Sequence, residues 1–129
     1  MLLTEYLSVV AEVIASYSKT GLIISSDLAI DARTEKIGLI KCTVVFVDDS
    51  KLFVTEYLDL RYRTEKLAYS FHYQDKNGIL IFRYDNAAHK PSINFITHKH
   101  FEGKIVASAI PDWDNTIEEA ITYCLKTAQ

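Results

Sequence analysis

Five segments rich in β-branched and aromatic residues follow one another at residues 22–30, 36–47, 52–61, 66–75 and 79–85, with only short punctuation between them. Asp31-Ala32-Arg33, Asp48-Asp49-Ser50 and Asn77-Gly78 are short and carry the Asp, Asn, Ser and Gly residues that favour tight turns. Parallel strands need a crossover of a dozen or more residues, and connections this short leave no room for one. The chain therefore predicts antiparallel neighbours in a meander. A weaker extended stretch, residues 93–108, follows Pro91.

Helical spacing stands at the two ends. Tyr6, Val9, Val10, Val13, Ile14 and Tyr17 fall on one stripe, with Thr4 as the expected N-cap and Gly21 just past the end. After Pro111, Asn115 and Glu118 have capping-box spacing, and Ile117, Ala120, Ile121, Cys124 and Leu125 make a second stripe. The expected architecture is α+β: an antiparallel meander sheet of about five to six strands, with one N-terminal and one C-terminal helix packed on one face. At 129 residues the chain is expected to form a single domain over 1–129.

Composition narrows the function classes. A net charge of −3 argues against broad, sequence-blind binding to DNA, which needs many phosphate contacts, but leaves room for a small basic site. Cys42 and Cys124 are too few for a disulfide framework or a zinc ribbon, which suits a cytoplasmic protein with both thiols buried. No apolar run approaches the ~20 residues of a membrane span, and Glu5 and Glu12 interrupt the N-terminus where a signal peptide would be apolar.

All four histidines lie between His72 and His100, together with Arg83 and Asp85. Imidazole exchanges protons near neutral pH and ligates metals, so chemistry is expected here. Two registers are open to the hairpin around Asn77-Gly78. A two-residue turn opposes His72 to Arg83 and Ser70 to Asp85; a three-residue loop opposes His72 to Phe82. The first puts Tyr69, Phe71, Tyr73, Leu80, Phe82 and Tyr84 on one face, and Ser70, His72, Gln74, Ile81, Arg83 and Asp85 on the other. A sheet covered on one side favours that segregation, so the two-residue turn is expected.

On the polar face Arg83 reads either as a structural ion pair with Asp85 or Glu56, or as a phosphate fork. His72 beside that cation is expected to be neutral, a better base than acid. Asp85-Asn86 reads as an Asx turn or as part of a binding site, and His89 as a solvated residue or a ligand. His98 and His100 point the same way in an extended segment, while Lys99 points to the other face. A metal would need a third ligand beside His98 and His100, from His72 or His89. Glu56 is expected on the polar side, and Trp113 is given no role. There is no nucleophile elbow and no phosphate-cradling glycine loop.

The segment His72-Tyr73-Gln74, Asp75 to Gly78, Leu80 to Ala87, His89 and His98-Lys99-His100 resembles the TumE-type family of small toxins, which occur beside a DNA-binding antitoxin. The proline and acidic helix at 111–121 look similar too. One departure is Ile96-Thr97 before His98, where the family pattern often has a proline and another histidine. The resemblance implies a growth-inhibiting toxin neutralised by a cognate antitoxin protein.

Residue types and resemblance together point to RNA. Metal-free cleavage through the 2′-hydroxyl needs a base, an acid and a cation: His72 as base, His98 or His100 as acid, and Arg83 as phosphate holder with Lys99, Asp85, Asn86 and His89 as substrate contacts. No cofactor is then required. The alternatives are a divalent-metal hydrolase built on His98 and His100, or a non-enzymatic inhibitor that binds a cellular protein through the same face.

Overall fold

The computed structural model describes residues 1–87 and 97–127. Helix α1 spans Leu3–Ser18, and strands β1 (Ile23–Ala32), β2 (Ile37–Phe46), β3 (Lys51–Asp59), β4 (Glu65–Gln74), β5 (Leu80–Asp85), β6 (His98–Phe101) and β7 (Lys104–Ala107) follow. Helix α2 spans Trp113–Thr127. The strands form one seven-stranded sheet in sequence order, each pair antiparallel. This is the expected α+β meander. The weaker extended stretch contributes two strands, because Glu102 and Gly103 both take positive φ (51° and 75°) and turn the chain back.

Alternation explains the layering. Ile40, Cys42, Val44 and Phe46 of β2 face the same side as Leu52, Val54 and Leu58 of β3, Tyr69, Phe71 and Tyr73 of β4, and Phe82 of β5. The helices bury their stripes against this side. Tyr6, Val10 and Ile14 come from α1, and Trp113, Ile117, Ala120 and Cys124 from α2. Where α1 enters, Gly38 is needed: a Cβ there would sit 2.7 Å from Asp31 O and 2.9 Å from Leu3 Cδ1. No helix is long and apolar enough to cross a membrane, among the described residues.

Both helix starts differ from expectation. α1 begins before Thr4, because the Glu5 carboxylate reaches back to the Leu2 amide (2.8 Å) and satisfies an otherwise orphaned donor. For α2 the cap is Asp112, whose Oδ1 accepts from Asn115 N at 2.7 Å.

The hairpin between β4 and β5 has a different turn but the expected register. Asp75 N–H donates to Ile79 O (2.9 Å) and Gly78 takes φ +81°, so Lys76-Asn77-Gly78 is a three-residue loop. The Asp75 side chain holds it, accepting from Asn77 N and Ile79 N. Such a loop alone would oppose His72 to Phe82. A bulge at Ile81 absorbs the extra residue, since Gln74 opposes Leu80 while Tyr73 opposes Phe82. The register regained is His72 opposite Arg83 and Ser70 opposite Asp85. One consequence is that Leu80 joins Gln74 on the polar side, 43% exposed, while Ile81 packs against the core.

Glu56 is the other correction. Alternation with Leu52, Val54 and Leu58 turns it into the core, where it is fully buried. Its Oε1 accepts from Tyr6 Oη (2.7 Å) and Trp113 Nε1 (2.9 Å), and Lys66 Nζ lies 2.7 Å from Oε2. Lys66 also donates to Pro111 O at 2.9 Å. Burial first, then the Glu56 charge and hydrogen bond, push the Tyr6 hydroxyl far above its ordinary pKa. Trp113, Tyr6 and Lys66 thus pin both helices to the sheet through one carboxylate.

Candidate functional site

The sheet face opposite the helices carries the polar alternates. Following the register from strand to strand, Asp27, Thr43, Phe53, His72, Arg83, His100 and Ile105 oppose one another in a continuous row across the sheet. Beside it runs a second row of Ala29, Lys41, Thr55, Ser70, Asp85, His98 and Ala107. Register alone therefore sets His72 and His100 on either side of Arg83, with the Asp85–His98 pair in the adjacent row.

Asp85 ties the rows together. It is 3% exposed, and its Oδ2 accepts from Arg83 Nε at 2.9 Å while lying 3.2 Å from His100 Nε2. Its Oδ1 lies 3.2 Å from His98 Nδ1 and accepts from Ala87 N at 3.2 Å. Burial by itself would raise the carboxyl's pKa. The bonds from Arg83, His98 and Ala87 and the nearby His100 outweigh it and hold the group below the usual carboxylate range.

The far side of Arg83 meets His72. Nη1 lies 3.3 Å from His72 Nδ1, and His72 Nε2 lies 3.0 Å from Gln74 Oε1. A guanidinium only donates, so Nδ1 accepts and the ring proton stands on Nε2, where Gln74 receives it. Exposure then separates the four groups. The Arg83 side chain is 37% exposed and that of His100 21%, and His72 is half-buried. His98 is only 2% exposed. His72, Arg83 and His100 can meet a solute, whereas His98 acts on Asp85.

The remaining sequence candidates separate. Lys99 stands on the helix side, with Nζ 2.7 Å from Glu119 Oε2 and Tyr84 Oη on the same carboxylate. Asn86 closes the end of β5 onto β4: its Oδ1 accepts from Tyr69 N and its Nδ2 donates to Leu67 O, both at 3.0 Å. His89 lies outside the described residues. Among the described residues no group of three or more His, Cys, Asp or Glu side chains is arranged to hold a metal ion. Two contributors were not singled out from sequence. Gln74 fixes the His72 tautomer, and Phe53, 38% exposed, has its ring centroid 6.1 Å from that of His72. Both lie on the polar face by period-2 alternation, the signal that could have found them.

No curated protein and no solved structure compared with the chain matches it. The family described as Toxin TumE matches residues 10–127, a span from the first helix to the last turn of α2 that includes every residue of the Asp85 cluster. The chain belongs to the TumE toxin family, the toxin side of a toxin–antitoxin system, with an antitoxin as its partner.

Proposed function

We propose that this toxin is a metal-independent ribonuclease that cleaves single-stranded RNA on the helix-free sheet face. The observation that carries the reading is the order His72, Arg83, His100 along one cross-strand row, with the buried Asp85 behind it. Two strand spacings of ~4.8 Å separate the two imidazole-bearing backbones, a gap of about 10 Å with a cation at its centre. A phosphodiester fits between a base and an acid in that arrangement.

The roles follow from the hydrogen bonds. A phosphate oxygen that draws Arg83 Nη1 onto itself releases the Nδ1 lone pair of His72, so substrate binding itself frees the base. His72 takes the 2′-hydroxyl proton, the 2′-oxygen bonds to phosphorus, and the bond from phosphorus to the 5′-oxygen breaks. His100, held by the Asp85 carboxylate, gives that leaving oxygen its proton. The products are a 2′,3′-cyclic phosphate and a 5′-hydroxyl. His98 is a positioning residue, and Asn86 and Asp85 shape the site rather than touch substrate.

The test incubates purified protein with RNA, with and without chelator, beside His72→Ala/Arg83→Ala. General acid–base groups typically contribute ~10²- to 10⁴-fold each, so cleavage by the double variant is expected to fall below detection while chelator has no effect. Cleavage that persists in the double variant overturns these roles. Loss on chelation moves the chemistry to a metal, and growth arrest without cleavage of any RNA moves the face to a binding role.

A further inference from the structure

The two rows that hold the Asp85 cluster continue past His72 into a hollow of about 320 Å³, lined by Asp27, Ala29, Lys41, Thr43, Phe53 and Thr55. Its members are the next three strands of the same rows, so the hollow and the cluster form one continuous surface. Phe53 stands between them. Its alternates Leu52 and Val54 are buried, yet Phe53 is 38% exposed on the polar face, where its ring centroid lies 6.1 Å from that of His72 and more than a third of the residue stays open to solvent. Around that ring are a cation, a carboxylate and two hydroxyls.

We infer that this hollow is a nucleobase subsite, in which Phe53 stacks a base of the RNA strand whose scissile phosphate lies on Arg83. Lys41 contacts a phosphate farther along the strand, and Asp27 with Thr43 and Thr55 borders the base edge. The chemistry is that of single-strand recognition, where unstacked bases lie on aromatic side chains and cations follow the backbone. Lys41 stands three strands from Arg83 and one row over, about 16 Å at ~4.8 Å per strand and ~3.4 Å per residue, so the two cations bracket the phenyl ring. The inference rests on the RNA reading of the neighbouring row and adds its direction: substrate runs across the strands from β5 toward β2.

The experiment uses the full chain and a short single-stranded RNA carrying 2′-O-methyl sugars throughout, whose blocked 2′-oxygens cannot attack phosphorus, so that it binds but is not cleaved. Stacking contributes ~1–3 kcal/mol per base, so Phe53→Ala is expected to weaken binding of this probe by about 5- to 150-fold. Phe53→Trp should restore it, and thermal midpoints should stay together because the ring is not core. Lys41→Gln should reduce the slope of log affinity against log salt by about 1. On cleavable RNA, Phe53→Ala should raise KM and leave kcat nearly unchanged.

Wild-type affinity retained in Phe53→Ala, or no binding of the probe by the wild-type protein, overturns the subsite. The two readings fail separately. Phe53-dependent binding without any cleavage keeps the subsite and removes the catalytic roles, whereas cleavage indifferent to Phe53 does the reverse.

Discussion

Replacing Asp85 by asparagine is expected to lower stability at pH 7 by about 1.5–3 kcal/mol, the range for hydrogen bonds to a charged group, because the Arg83 cation left behind is 37% exposed rather than stranded in the core. The carboxylate accepts from Arg83, Ala87 and His98 and lies 3.2 Å from His100. An amide has one acceptor oxygen, and its NH₂ would face one of those donors with another donor. The pH dependence has a definite sign. Because the folded carboxyl sits below its ordinary value, its contribution is fully present above the unfolded value of ~3.9. It is lost as pH falls through the lower folded value. Urea unfolding of both proteins at several pH values should therefore show a gap that is widest near neutrality and closes in acid. A gap below about 1 kcal/mol, or one independent of pH, would remove Asp85 as the organiser of the cluster.

A larger effect is expected at the other buried carboxylate, whose lysine partner is itself only 12% exposed. Glu56→Leu leaves Lys66, Tyr6 and Trp113 without their common acceptor inside the core, and should lower stability by about 3–5 kcal/mol. Glu56→Leu/Lys66→Met removes the stranded charge as well, and a buried ion pair replaced by apolar groups of similar volume is often neutral. Denaturant midpoints of the wild type, the single and the double variant make the comparison. Recovery of at least half the loss in the double variant fits a buried ion pair whose main demand is that neither partner be left alone. A double variant as unstable as the single one would mean that the Tyr6 and Trp113 bonds carry the stability instead. Neither residue lies on the proposed RNA face, so these variants also separate folding defects from catalytic ones.

How much of this was legible depended on whether the signal was local. Alternation and short turns sufficed for the meander, and apolar face segregation placed His72 opposite Arg83. The reason for that pairing was not visible. The loop is one residue longer than the turn inferred from Asn77-Gly78, and the bulge at Ile81 restores the pairing. Bulges leave no distinct mark in a run of apolar residues such as Leu80-Ile81-Phe82. Glu56 was misplaced for a different reason. Its spacing from Val54 and Leu58 points inward, but a carboxylate is plausible there only beside Tyr6, Lys66 and Trp113, and only the tertiary fold brings these together. Separating His98 from His100 by exposure likewise required knowing that the strand holding them pairs with β5, which puts His98 opposite the buried Asp85.

The central claim, that the helix-free face performs proton-transfer catalysis on the RNA 2′-hydroxyl, is tested most directly at the substrate. Once a cleaved position is mapped, the same RNA with one 2′-deoxy sugar at that position is offered to the wild-type protein in chelator, and the ends of the products are identified. The unmodified strand should give a 2′,3′-cyclic phosphate and a 5′-hydroxyl, with no cleavage at the modified position. Cleavage at that position at an undiminished rate would contradict that chemistry.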